Sequence, residues 1–228
     1  MSKIKVYVRL RPPLPGEFDT PGCFNCTELE DVSGNWIRIK KEGEQIRYFA
    51  RVWGPNSTQE EVFPTIGINT VNDVFEGYYG CVFVYGQTGT GKTFSLGCLT
   101  PGLEGIQPQC IRYIFEKIAK ESHKYEVTVK QHYVQLYREF VQDLLDTTKD
   151  NLKIKMEEST GATIEKVTIR DINSYEEAVA LIREGDNNRA VANTKMNSAS
   201  SRSHACLVTE VFRKEKATGT VTLPADID

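Results

Sequence analysis

The feature that most constrains this chain is a run of eight residues, Gly86-Gln87-Thr88-Gly89-Thr90-Gly91-Lys92-Thr93. It fits G-x-x-x-x-G-K-[ST] and follows Cys81-Val82-Phe83-Val84-Tyr85, five residues without a charge. An uncharged run of this kind predicts a strand buried on both faces, as in a parallel sheet. Strand, glycine loop and helix in succession give the motif its physical meaning. The glycines let successive backbone N–H groups curl inward as an anion nest at a helix N-terminus. Lys92 would reach β- and γ-phosphates as a mobile charge, and the Thr93 hydroxyl would ligate Mg²⁺. At ordinary residue frequencies a chance match over a chain this long falls under about 1%, before the preceding strand is required. The loop therefore reads as a nucleotide phosphate site.

The rest of the chain agrees with an α/β protein. Ile4, Val6, Val8 and Leu10 alternate with polar residues until Pro12-Pro13, predicting a first strand. Residues 12–34 read as loop, and Trp36–Ile39 and residues 45–52 as short antiparallel strands. Ser57 and Glu60 have capping-box spacing before Val62 and Phe63. Pro64 interrupts that helix, and a second one runs from about Ile66 to Glu76, where Gly77 ends it. Ile111, Ile114, Phe115, Ile118 and Ala119 follow helical spacing after Pro108. Residues 126–137 alternate as a strand, 140–145 as a helical turn, and 152–156 with 163–169 as a strand pair. Ser174 and Glu177 open a further helix, and residues 203–212 alternate as a long strand.

With 228 residues, 39% of them hydrophobic, the chain can build one sizeable core. No uncharged apolar run approaches the length of a membrane span, and residues 1–11 do not pattern as a signal peptide, so neither membrane insertion nor secretion is expected. A balance of 28 basic against 31 acidic residues gives no basic excess of the kind that nucleic-acid binding uses. Cys23 and Cys26 form a lone C-x-x-C, whereas Cys81, Cys98, Cys110 and Cys206 are scattered. A structural zinc site needs two such pairs, so free thiols and a cytosolic setting are expected.

A second polar constellation, Asn197-Ser198-Ala199-Ser200-Ser201-Arg202-Ser203-His204, precedes the long strand. By itself it is a polar loop. Beside a phosphate loop, its hydroxyls can complete a Mg²⁺ shell and its arginine can hold the loop closed.

Taken together these segments resemble the N-terminal portion of a kinesin motor domain, over nearly the whole chain. Arg9-Leu10-Arg11-Pro12 is similar to the family's R-x-R-P. Residues 57–63 and 71–85 resemble the approach to its P-loop, and 86–93 match its G-Q-T-x-x-G-K-T version. Gln135-Leu136-Tyr137 with Asp143-Leu144-Leu145 resembles E-I-Y…D-L-L, departing at Gln135. Residues 197–204 fit its switch I, N-x-x-S-S-R-S-H.

The resemblance implies a P-loop NTPase fold, with a kinesin-type central mixed sheet flanked by helices. It implies a microtubule-based motor ATPase using ATP/ADP and Mg²⁺, in the cytoplasm on the microtubule cytoskeleton. Arg9, Arg11 and Pro12 would border the adenine, with Tyr78 near the base and Phe94 beside it. Gln87, Thr88, Gly89, Thr90, Gly91, Lys92 and Thr93 would hold phosphates and Mg²⁺. Ser201 would approach Mg²⁺ and the γ-phosphate, Asn197 and Ser200 would position water, and Arg202 would pair with a switch II glutamate. Residues 98–108 resemble a short form of the loop beside the nucleotide, and the lysines of 152–169 lie in a region that touches tubulin in the family.

After Arg202 the chain contains no D-x-x-G, the switch II signature. The expectation is one motor domain over 1–228, incomplete at its C-terminal end, with a gap in the central sheet where a late strand of the family lies. A kinesin-like module that binds nucleotide without turnover is the alternative. Oligomeric state, cargo and direction are not legible.

Overall fold

The computed structural model describes residues 4–17, 19, 27–29, 34–39, 45–157, 161–195 and 203–222. Its largest sheet is built on two 13-residue strands, β6 (Tyr125–Tyr137) and β11 (Ser203–Glu215). They pair antiparallel along their whole length, from Tyr125↔Glu215 to Tyr137↔Ser203. The opposite edge of β6 is covered in turn by β10 (Arg170–Ile172) and β7 (Phe140–Asp143). Beyond β11, β12 (Val221–Thr222) folds back as a hairpin, Arg213 facing Thr222.

A separate two-stranded ribbon pairs β1 (Tyr7–Arg9) with β5 (Arg51–Trp53) in parallel. Among the described residues it shares no ladder with the larger sheet. A small antiparallel sheet joins β2 (Thr27–Leu29), β3 (Trp36–Ile39) and β4 (Gln45–Tyr48), and β8 (Ile154–Glu157) pairs with β9 (Gly161–Ile164) as a hairpin.

Helix α1 (Gln59–Phe63) passes through a π-helical turn at Pro64–Ile68 into α2 (Asn69–Phe75). Proline lacks a backbone donor but fits at the start of the turn, where Phe63 and Pro64 keep helical backbone angles, so the helical run continues through it. The short α3 (Lys92–Gly97) follows the glycine loop, and α4 (Ile106–Glu121) and α5 (Tyr175–Lys195) are the long helices. Val71 and Phe75 of α2, Ile111 and Ile114 of α4, and Leu181 and Ile182 of α5 close one core with Val129 and Tyr133 of β6. Trp53, Val62 and Ile106 form a second cluster beneath the ribbon.

Four expectations change. The capping box lies one residue on: the Thr58 hydroxyl accepts from the Glu61 N–H, and the Glu61 carboxylate accepts from the Thr58 N–H. The run Ser-Thr-Gln-Glu-Glu offers the same spacing twice, and spacing cannot choose between the two. Residues 140–143 are strand rather than helix, because a tight turn with Arg138 at φ +56° returns the chain onto β6. The buried Asp143 carboxylate then caps the bend, accepting from the N–H groups of Leu145, Asp146 and Thr168. The stretch expected to be loop contains β2.

The fourth correction bears on function. Residues 81–85 form no strand: they join no ladder, and Phe83 and Tyr85 are 71% and 96% exposed. A doubly buried strand takes its character from neighbours on both edges. None of the described strands pairs with this segment.

Cys81, Cys98, Cys110 and Cys206 are free thiols, and Cys23 and Cys26 lie outside the described residues. Burial pushes the Cys110 thiol up to about 12. No described helix is long and apolar enough to cross a membrane.

Candidate functional site: a glycine loop beside a base-sized cleft

Three glycines shape residues 86–93. Gly86, Gly89 and Gly91 have φ of +156°, +85° and +90°, in the region that side chains avoid. A Cβ on Gly86 would also stand 2.5 Å from the Thr90 hydroxyl oxygen. That hydroxyl donates to the Gln87 carbonyl at 2.8 Å and tightens the curl. Gly91 is the N-cap of α3, so the loop delivers its backbone donors to the start of a helix.

Lys92 folds its ammonium over this loop, donating to the carbonyl oxygens of Gly86 at 2.8 Å and Gln87 at 2.7 Å. The Thr93 side chain is exposed on the first turn of α3. A curled glycine backbone, an ammonium and an exposed hydroxyl, with no carboxylate among the described residues hydrogen-bonded to any of them, suit a Mg²⁺-bound polyphosphate.

A cleft of about 160 Å³ opens beside the loop, between residues 9–12, residues 55–57 and α3. Arg9, Arg11, Pro12, Thr90, Gly91 and Phe94 all face it. The Arg9 guanidinium lies 5.1 Å from the centre of the Phe94 ring and donates to Gln59 Oε1, Ser95 Oγ and the Ser57 carbonyl. Burial pushes Arg9 below the ordinary arginine value, with Glu61 opposing the shift. Arg11 makes a two-toothed ion pair with Glu17, at 2.9 and 2.5 Å. That guanidinium holds the Glu17 carboxyl down to about 2, helped by the Leu14 N–H.

The structure thus brings Arg9, Arg11, Pro12, Thr90, Gly91 and Phe94 around one cleft, continuous with Gln87, Thr88, Gly89, Lys92 and Thr93 of the loop. Tyr78 is half exposed after α2 and does not line the cleft. Asn197, Ser200, Ser201 and Arg202 lie outside the described residues. Their two anchors are described, however. Arg189 of α5 donates to the Ser203 carbonyl at 3.0 Å and to its hydroxyl at 3.3 Å, tying the helix before residues 196–202 to the strand after them.

Gln59 was not legible as a site residue. It is 5% exposed, accepts from Arg9 and donates to the carbonyl oxygens of Phe94 and Leu103. A lone glutamine in a charged helix start carries no sequence signal. Glu17 and Arg189 were likewise silent in the sequence, because their partners are set by the fold.

The kinesin motor domain family model matches residues 9–225. The chain belongs to the kinesin motor family. Among curated relatives, kinesin-related protein 3 of Dictyostelium discoideum is 34% identical over 97% of this chain and 19% of its own length. Kinesin-like protein 3 of Schizosaccharomyces pombe is 35% identical over 96% of this chain and 40% of its own. The kinesin heavy chain of Strongylocentrotus purpuratus is 36% identical, over 94% and 20% respectively. A solved structure described as a fast kinesin, with implications for ATPase mechanism and interactions with microtubules, superposes at a TM-score of 0.90 and 32% identity. It is matched over 96% of this chain and 62% of that one. The kinesin chain described here therefore spans well under half of these curated relatives, and its fold is that of a kinesin P-loop NTPase.

Proposed function

We propose that this kinesin chain binds Mg-ATP and Mg-ADP through residues 86–93, seats the base between Arg9, Arg11, Pro12 and Phe94, and senses the γ-phosphate with residues 197–204. In its parent protein it would serve as a microtubule-based motor ATPase of the cytoplasmic cytoskeleton, residues 1–228 forming part of the motor domain. The observation that carries the reading is the meeting of the positive-φ glycine loop and the cleft at Gly91.

The chain's own residues divide the work. Backbone N–H groups of the loop hold phosphate oxygens, and Lys92 exchanges the Gly86 and Gln87 carbonyls for phosphate. Guanidinium faces at Arg9 and Arg11 and the Phe94 ring offer flat surfaces to a base. Thr93 and Ser201 would hold Mg²⁺, which when bound neutralises phosphate charge during transfer. Asn197 and Ser200 would orient water, and closure of 197–204 would exclude bulk solvent. Catalysis of this kind is positioning plus charge stabilisation. Coupling to the filament would run through the two anchors of that loop, α5 and β11.

Binding without turnover is a second reading, favoured by one observation: residues 81–85, which carry the loop, are unpaired on both edges among the described strands. Calorimetric titration with Mg-ADP tests binding, and steady-state phosphate release with and without microtubules separates the two readings. Turnover stimulated by microtubules supports the motor ATPase. Tight ADP binding with no phosphate release supports the module, and no ADP binding overturns both.

A further inference from the structure

We propose that Glu17 is a positioning residue for nucleotide recognition, fixing Arg11 as a wall of the base cleft and withholding its charge from the phosphates. The proposal rests on the base cleft assigned above.

The turn that carries Glu17 is built for the purpose. Leu14-Pro15-Gly16-Glu17 closes with the Glu17 N–H donating to the Leu14 carbonyl at 3.0 Å, and Gly16 has φ +77°. Proline at the second position and a positive-φ glycine at the third are what a type II turn requires. The turn sends the Glu17 side chain back toward residue 11. Both carboxylate oxygens are then used, one by Arg11 Nη2 and the other by Arg11 Nη1 together with the Leu14 N–H. Arg11 Nη1 also donates to the Pro12 carbonyl at 2.9 Å. With three bonds from two nitrogens, the guanidinium plane cannot rotate freely.

Arg11 is also where the cleft meets the phosphate loop. Among the described residues, chain neighbours aside, the one heavy atom within 4 Å of a Cβ built on Gly91 is the Arg11 Cβ, at 3.9 Å. An arginine this close to a polyphosphate site, left unpaired, would be drawn to the phosphates as readily as to a base. The carboxylate cancels that pull and keeps Arg11 among the residues that line the cleft. Arg9 is held differently, by neutral acceptors and the Phe94 ring, so the two arginines are not equivalent.

Calorimetric titration of the 228-residue chain with Mg-ADP and with inorganic tripolyphosphate tests the assignment. Glu17→Gln should weaken ADP about fivefold, the scale of one well-formed surface ion pair, with tripolyphosphate binding unchanged or tighter. In an Arg11→Ala background Glu17→Gln should add less than about twofold, because the carboxylate acts through Arg11. Equal losses for ADP and tripolyphosphate, or additive losses in the double variant, overturn the positioning role. Wild-type chain that binds tripolyphosphate but shows no preference for ADP also overturns it. Wild-type chain that binds neither ligand removes the nucleotide reading itself, a result distinct from the others.

Discussion

The Arg9 guanidinium donates to Gln59 Oε1 at 2.7 Å, joining β1 to α1 across 50 residues of sequence. The same amide donates to the carbonyl oxygens of Phe94 and Leu103. Gln59→Leu therefore removes three hydrogen bonds of a buried group and should cost about 1–3 kcal/mol. Urea unfolding checks this, and an unchanged midpoint would count against the hub.

Lys92→Ala should weaken ADP at least about a hundredfold, since a charge-assisted contact to phosphate has no replacement in the loop. Stability should stay within about 0.5 kcal/mol, because the lysine sits over a surface loop and its carbonyl partners can turn to water. ADP titration paired with thermal unfolding reads both effects. Unchanged ADP affinity would remove the phosphate loop from the mechanism.

His132 gives the fold a pH dependence. It is 8% exposed and its Nδ1 has no hydrogen-bond partner among the described residues. Burial pushes it below the ordinary histidine value, with Glu210 and Asp143 opposing the shift. Below about pH 6.5 the unfolded chain then binds a proton that the folded chain resists, so stability falls with falling pH and recovers above that value. Urea midpoints at pH 7.5 and 5.5 should differ, and His132→Gln should reduce the difference. A variant with the same pH slope as wild type would assign the effect elsewhere.

Tyr85→Ser and Phe83→Ser should each change stability by less than about 0.5 kcal/mol, as surface substitutions do. Phe75→Ala, in the core, should cost about 3–5 kcal/mol. A core-sized loss at Tyr85 would mean that residues 81–85 are covered in solution.

What was legible divides along physical lines. The alternation in residues 126–137 and 203–212 located β6 and β11 closely, although the middle of β6 is covered on both faces, with Gln131, His132, Tyr133, Val134 and Gln135 all buried. The glycine loop was legible because φ above zero restricts residue choice at Gly89 and Gly91. Residues 81–85 misled for the opposite reason: their apolar character suits a strand with two neighbours, and pairing is a property of those neighbours. Thr58 against Ser57 shows the resolution limit of spacing, and Glu17, Gln59 and Arg189 show that contacts across the fold leave no local trace.

The break between the β1–β5 ribbon and the five-stranded sheet has a mechanical consequence. With no ladder shared between them among the described residues, the helices are the struts: α4 packs against α1, α2, α3, α5 and β6. Tension applied between Arg9 and Leu207 would be carried by side-chain packing rather than by rows of backbone bonds. Packing of this kind yields by sliding, one contact at a time, so the nucleotide end of this kinesin chain should be the softer spring and the β6–β11 end the stiffer one.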